Sequence, residues 1–363
     1  MLGLRKKNLF VIIIMLVLLF LFSTVQARKF KVAFVYIGPV GDAGWTYAHD
    51  LGRKYIEKVF GDSIETTYIE NVPDSMESIS IFESLAKRKY DIVFATSFGF
   101  MDAVLEVAKK YPNTVFMHCS GYKTYKNMSA YFGRIYEPSF LAGIIAGFMT
   151  KTNKIGYVAP VSIPEVIRIT NAFALGVKLV NPDAKVHVVW TNSWYDPATE
   201  KEAALSLIDS GADIIAQQTD SAAPVQTAQE KGVYSIGYNS DMRKFGTDSF
   251  LTAPVWNWGV YYETVIKDVM NGSWKSENYW GGMKDGIVDL APLSSKVPTN
   301  VKSIVEVFKQ AIIKGDFHPF QGPIWDQNGN LKVKKGEILS DQELLSMDWF
   351  VDNIVGSIPK SSE

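Results

Sequence analysis

Short apolar runs alternate along the chain with amphipathic stretches of helical period, and punctuation residues separate them. Lys31 to Ile37 is apolar and stops at Gly38 and Pro39, as a buried strand would. Tyr47 to Val59 then reads as a helix, Ile64 to Glu70 as a strand and Ser75 to Lys89 as a helix. Asp91 to Ala95 (strand), Met101 to Lys110 (helix) and Thr114 to His118 (strand) continue the series. After the segment YFGRIYEPSF the alternation restarts. It predicts helices at Glu137 to Met149, Ile163 to Val180, Ala198 to Ser210 and Ala223 to Lys231, and strands at Lys154 to Ala159, Lys185 to Thr191, Asp213 to Gln217 and Tyr234 to Tyr238. A strand at Phe250 to Val255, a helix at Trp258 to Asn271 and a short strand at Gly286 to Leu290 look like segments shared between two halves. A helix at Val301 to Gly315 and a hairpin turn at Asn328-Gly329 close the pattern. Such alternation argues for α/β architecture with parallel sheets covered by helices on both faces. Its restart argues for two units of matching size.

The N-terminus changes the picture of where the chain works. Arg5, Lys6 and Lys7 precede an unbroken apolar run from Leu9 to Phe22, followed by Ser23 to Ala27. This is the layout of a signal peptide over residues 1–27, and the run is shorter than the roughly 20 residues that a spanning helix needs. The expectation is an exported, periplasmic protein whose mature chain begins near Arg28, with no cysteine beside the cleavage site for a lipid anchor. Cys119 is the single cysteine, so no intramolecular disulfide can form. With 37 basic and 38 acidic residues, a formal net charge of -1, the chain has no basic footprint for nucleic acid.

In parallel sheets, ligands bind beyond the carboxyl ends of the strands. The loops there are Gly38 to Thr46, Thr96 to Phe100, His118 to Tyr122, Ala159 to Pro164, Asn192 to Pro197, Gln218 to Pro224, Asn239 to Asp241 and Ala253 to Trp258. In the first, Gly38, Gly41 and Gly44 are spaced G-x-x-G-x-x-G, which fails the dinucleotide fingerprint and adds the phosphate-repelling Asp42. No P-loop and no G-x-S-x-G elbow occurs, and His49, His118, His187 and His318 lack metal-ligand spacing. Neighbouring His118 and Cys119 in a strand would face opposite ways, and Cys119 reads as a buried structural thiol. No enzyme, metal or cofactor is expected. The strand-end loops instead place rings beside carboxylates and amides: Asp42 with Trp45, Trp194 with Asp196, Asn239 with Asp241, Trp256 with Trp258, together with Phe98 and Thr219-Asp220. A flat, neutral, nitrogen-rich ligand suits such a set, since rings clamp its faces and a carboxylate accepts from an amino edge.

The stretches YIGPVGDAGWTYAHDLGRK, ATSFGFMDAVLEVAKKYPN, GYKTYKNMSAYFGRIYE, WTNSWYDPATEKEAALSLIDSGADIIAQQTDS and KGVYSIGYNSDM resemble the basic membrane protein family of ABC-transporter substrate-binding proteins, which includes purine nucleoside receptors. The resemblance covers nearly all of the chain after the leader. It implies the type I periplasmic-binding-protein fold: two Rossmann-like lobes with parallel sheets, joined by a three-strand hinge. The lobes would be 28–133 with about 255–284, and 134–254 with about 285–363. Asp42, Gly44, Trp45 and Thr46 stand where nucleoside-binding relatives carry D-x-S-F-N, and Trp194 stands where a second ring completes the sandwich. His118, Asn239 and Trp256 stand where those relatives grip ribose with two Asp and a Lys, and none keeps the charge. The implied site is therefore Asp42, Trp45, Thr46, Ser97, Phe98, His118, Trp194, Thr219, Asp220, Asn239, Asp241 and Trp256. The implied ligand is a purine, free adenine ahead of a nucleoside, delivered by a monomer to an inner-membrane ABC permease. A secreted nucleoside hydrolase is the alternative of another class.

Overall fold

A computed structural model describes residues 28–41 and 43–359; the predicted leader and Asp42 lie outside these described residues. The first half builds β1 (Phe30–Val35), α1 (Trp45–Phe60), β2 (Ile64–Ile69), α2 (Ile79–Lys87), β3 (Ile92–Ala95), α3 (Met101–Lys110), β4 (Val115–Cys119) and β5 (Met128–Gly133). The second builds α4 (Tyr136–Met149), β6 (Lys154–Ala159), α5 (Pro164–Val180), β7 (Lys185–Trp190), α6 (Pro197–Asp209), β8 (Ile214–Gln217), α7 (Ala223–Lys231), β9 (Tyr234–Ile236) and β10 (Phe250–Thr252). Then come β11 (Pro254–Trp256), α8 (Trp258–Asn271), β12 (Asn278–Gly281), β13 (Val288–Leu290) and α9 (Thr299–Lys314). The tail adds β14 (Ile324–Trp325), β15 (Leu331–Val333), α10 (Asp341–Leu345) and β16 (Ile354–Val355).

Two parallel six-stranded sheets result, ordered β12-β5-β4-β3-β1-β2 and β10-β9-β8-β6-β7-β16. The strand sequences explain this: FKVAFV, IVFA and IIAQ are apolar on both faces, as strands covered by helices on both sides must be. The two sheets share one topological feature. In the first, β1 pairs with β2 on one side and β3 on the other. In the second, β6 pairs with β7 on one side and β8 on the other. Each is a switch point, where the loop leaving the strand is splayed from its neighbour and opens a crevice. The loop after β1 leads to Trp45, and the loop after β6 leads to Glu165.

The two sheets are linked by the short run from Gly133 to Tyr136 and by the antiparallel pair β11 and β13; β11 leads the chain through α8 to β12 at the edge of the first sheet, and β13 leads it away again. Helices α4 and α5 cross in close backbone contact. A Cβ at Gly143 would lie 2.0 Å from the Phe173 carbonyl, and one at Gly176 would lie 2.0 Å from the Phe140 carbonyl. The tail returns to the second sheet, where β16 pairs with β7. Arg134, in the first linker, pins it through a bidentate pair with Asp341 at 2.7 Å for both bonds.

Several boundaries differ from the sequence reading. The run Phe250 to Val255 is two strands, because Ala253 is the point at which the chain leaves the second sheet for the hinge pair. β5 and β12 carry no turn signals that would separate them from loops, and they are strands because β4 supplies the first partner and β5 the second. Among the described residues no helix is long and apolar enough to cross a membrane.

Candidate functional site

The carboxyl ends of both sheets meet. On the first-sheet side stands a column of aromatic rings. Trp256 stacks on Trp258 with centroids 4.5 Å apart and planes 11° apart, and Trp258 stacks on His49 at 4.7 Å and 10°. Trp45, the first residue of α1, stands edge-on to all three, at 89° to Trp256, 82° to Trp258 and 81° to His49. Its indole Nε1 donates to the Thr96 carbonyl, 2.7 Å away, at the end of β3. Trp45 therefore holds its orientation without a ligand while staying only partly buried. His49 is deep in the core, where burial holds its pKa well below the usual imidazole value, and its Nδ1 is hydrogen-bonded to the Tyr262 hydroxyl.

The second-sheet side is polar. Trp256, only 4% exposed, donates its Nε1 to Asn239 Oδ1 at 2.8 Å, and Asn239 Nδ2 donates to Asp220 Oδ1 at 2.7 Å. This relay runs from the hinge strand β11 to the loop after β8. Asn239 adopts φ of 66°, a conformation that Asn tolerates better than most residues, and so turns its amide toward both partners. Asp220 N–H donates to the Trp194 carbonyl at 2.9 Å, which joins the loops after β7 and β8. Trp194 is partly buried and has no ring partner among the described residues.

The two sides touch at Gly44. A Cβ there would lie 2.2 Å from the Asp220 carbonyl oxygen, so only glycine permits this approach. Ser240 Oγ donates to the Ala43 carbonyl at 2.6 Å beside it. These contacts describe a closed arrangement of the two sheets.

The other expected site residues fall into two groups. Ser97 and Thr219 are buried just beyond β3 and β8, Thr46 is buried as the second residue of α1, and Gln217 Nε2 donates to the Thr219 and Ser221 carbonyls, which sets the shape of that loop. His118 is fully buried; its Nε2 donates to the Ser97 carbonyl at 2.7 Å, and burial pushes its pKa down to about 4. This neutral imidazole braces the Ser97 loop. Phe98, 53% exposed, lies beside Tyr122, and Asp241 accepts from the Arg243 N–H and forms an ion pair with that side chain; neither joins the ring column or the relay. Asp42 lies outside the described residues. Sequence reading left out His49 and Ser240, and it stopped the loop after β6 at Pro164, one residue short of Glu165.

No described group of histidines, cysteines and carboxylates could hold a metal ion. Cys119 is buried, and burial pushes its thiol well up, away from the thiolate that nucleophilic chemistry needs.

Comparison with known proteins agrees with this architecture. Residues 29–316 match the family model described as ABC transporter substrate-binding protein PnrA-like (Bmp). The chain is 46% identical over 333 residues to a purine-binding protein of Brucella abortus (strain 2308), covering 92% of this chain and 95% of that one. It is 41% identical over 335 residues to a putative ABC transporter glucose-binding protein of Haloferax volcanii, covering 92% and 82%. Among solved structures it is similar to a transcriptional activator of the comK gene from Bacillus halodurans, with a TM-score of 0.71 at 21% identity over 80% of this chain and 99% of that one. It is also similar to a solute-binding protein of an ABC transporter system from Conexibacter woesei, with a TM-score of 0.68 at 19% identity over 79% and 97%. At those identities the structures speak for the fold alone, which is the type I periplasmic-binding fold. The chain belongs to the PnrA-like Bmp family of ABC transporter substrate-binding proteins.

Proposed function

We propose that this substrate-binding protein captures a purine, with free adenine as the preferred ligand, and hands it to an ABC permease from the periplasmic side of the inner membrane. The lobes are 28–133 with about 255–284, and 134–254 with the remainder; they close around the base as a monomer. The observation that carries this reading is the pairing of an edge-anchored Trp45 with an unpartnered Trp194 ring across the junction where Gly44 meets Asp220. Rings in that relation offer stacking faces to a planar heterocycle, while a pyranose offers them only C–H groups. The purine-binding name of the Brucella abortus relative supports the same choice.

Free base is favoured over nucleoside because of Trp256. Its indole fills the end of the cleft nearest the hinge, and it occupies Asn239, which in turn occupies Asp220 Oδ1. Vicinal hydroxyls would have to break that relay to be bound. The protein acts by binding alone: hinged closure is driven by the difference in ligand affinity between open and closed forms, with no bond broken. Native mass spectrometry of the protein purified after expression with its leader, followed by denaturing extraction, tests the reading. Recovered adenine supports it, a recovered nucleoside overturns the free-base preference, and a recovered sugar overturns the purine assignment. Turnover of a purine nucleoside by the purified protein would return the hydrolase alternative.

A further inference from the structure

We infer that Glu165 is a ligand-contacting residue that determines which purine is bound, by offering a carboxyl to the hydrogen-bonding edge of the base. The inference rests on the purine reading above and deepens it.

Position is the first argument. Trp45 opens the helix that follows β1, the switch-point strand of the first sheet; Glu165 is the second residue of α5, which follows β6, the switch-point strand of the second sheet. The two helices begin at corresponding points of two facing sheets, where a crevice opens. Glu165 is also near enough for its charge to act on Cys119, at the carboxyl end of β4, and on Tyr238, just beyond β9. It therefore lies between the strand ends of both sheets.

Its surroundings are the second argument. Glu165 is largely desolvated by the protein around it, yet part of its surface stays accessible. No hydrogen bond to its carboxyl comes from the described residues. Arg168, one turn along α5, makes no hydrogen bond to it: Arg168 Nη1 donates to the Leu344 carbonyl at 2.7 Å, its guanidinium lies over Trp280 at 5.1 Å, and its buried Nε has no partner among the described residues. A carboxyl that is largely desolvated and without hydrogen-bond partners is costly unless something supplies them. Aspartate and glutamate elsewhere in the cleft do not share this state, since Asp220 is bonded to Asn239 and Glu200 accepts from Ser221.

The chemistry follows from protonation. Burial raises the Glu165 pKa to about 7, opposed only in part by Arg168. Of the groups facing it, Cys119 and Tyr238 are pushed up by burial and stay neutral near that pH, and Arg168 keeps its charge, so Glu165 is the group there that changes charge. A neutral carboxyl donates one hydrogen bond and accepts another, matching a ring nitrogen beside an exocyclic amino group, as adenine presents. An ionised carboxyl accepts twice, matching the adjacent N–H groups of guanine.

Calorimetry with adenine, guanine and hypoxanthine at pH 6 and pH 8, on wild type, Glu165→Gln and Glu165→Ala, tests this. Thermal melts of the free proteins confirm that each variant is folded. Wild type should bind adenine more tightly at pH 6 than at pH 8. Glu165→Gln keeps a donor beside an acceptor and should hold adenine within about threefold, lose the pH dependence and weaken guanine; Glu165→Ala should weaken adenine at least tenfold. If a folded Glu165→Ala matches wild type, or if both variants weaken all three bases equally, the role of Glu165 is overturned while the purine reading stands. If wild type binds none of the three, the purine reading falls and this inference falls with it.

Discussion

The two sides of the cleft are built by opposite means. On the first-sheet side, Trp45, His49, Trp256 and Trp258 support one another edge to face and face to face, and Trp45 is fixed by the Thr96 carbonyl. On the second-sheet side, the partly buried Glu165 carboxyl has no hydrogen-bond partner among the described residues, and the Trp194 ring has none to stack on. In the proposed reading, the rings of the first side are in place before ligand arrives, and the second side gains its partners from the ligand. A preformed wall costs nothing to reorganise and supplies affinity that is tolerant of the base, whereas the unfinished side distinguishes one base from another and rewards closure.

The largest expected effect comes from keeping the sides apart. Gly44→Val would place a branched side chain where a Cβ already falls 2.2 Å from the Asp220 carbonyl. The closed form should be excluded: purine affinity in calorimetry should fall by about two orders of magnitude or more, as expected when the binding-competent population collapses. The melting temperature should change little, and small-angle scattering should show the same extended form with and without purine. Retained affinity would mean that the Gly44 contact is not part of the bound state.

A middle-sized effect separates the two rings. Trp45→Ala and Trp194→Ala should each cost about 1–3 kcal/mol of binding, the range for stacking a base on an aromatic side chain. They should differ in stability, read by urea denaturation. Trp45→Ala also opens the ring column and should unfold earlier, while Trp194→Ala should unfold near wild type. Equal losses of stability would erase the distinction between a finished and an unfinished side.

The smallest effect concerns two carboxyls of similar pKa in different places. Glu137, on α4, accepts from Met283 N–H at 2.7 Å near the hinge, and burial raises its pKa to about 7, as it does for Glu165. For both, the folded value lies above the unfolded one, so the native state holds more protons, and stability falls as pH rises from about 4.5 through about 7. Glu137→Gln should flatten part of that decline in urea midpoints, with or without purine. Glu165→Gln should flatten a part that purine also modifies. A decline unchanged by either substitution would leave both carboxyls out of it.

Much of the fold was legible because buried parallel strands and amphipathic helices write strong patterns. The helix Trp258–Asn271 agrees residue for residue with its reading, and both sheets follow from the alternation. What escaped was decided by distant partners. β12 (NYWG) is a strand only because β5 lies open beside it, and the run from Phe250 divides at Ala253 because two different sheets claim its halves. The site shows the same limit. The rule that ligands sit beyond strand ends points to these loops, but a loop does not say which of its side chains face inward. Phe98 and Asp241 turn away, and His118 is used to hold Ser97. The candidate loop Ala159 to Pro164 ends one residue before Glu165, which the sequence pattern assigns to the following helix, so nothing in the pattern marks it as a site residue.

The ring column has a further consequence, optical in kind. Two indoles held parallel at 4.5 Å, with an imidazole stacked next in line, share their electronic transitions. Trp256 and Trp258 should therefore give an exciton couplet in circular dichroism, and Trp45, anchored beside them, should emit according to what lies on its free face. If purine is captured against Trp45 as proposed, these rings are a built-in spectroscopic gauge of occupancy, with no label needed to follow capture and release in real time.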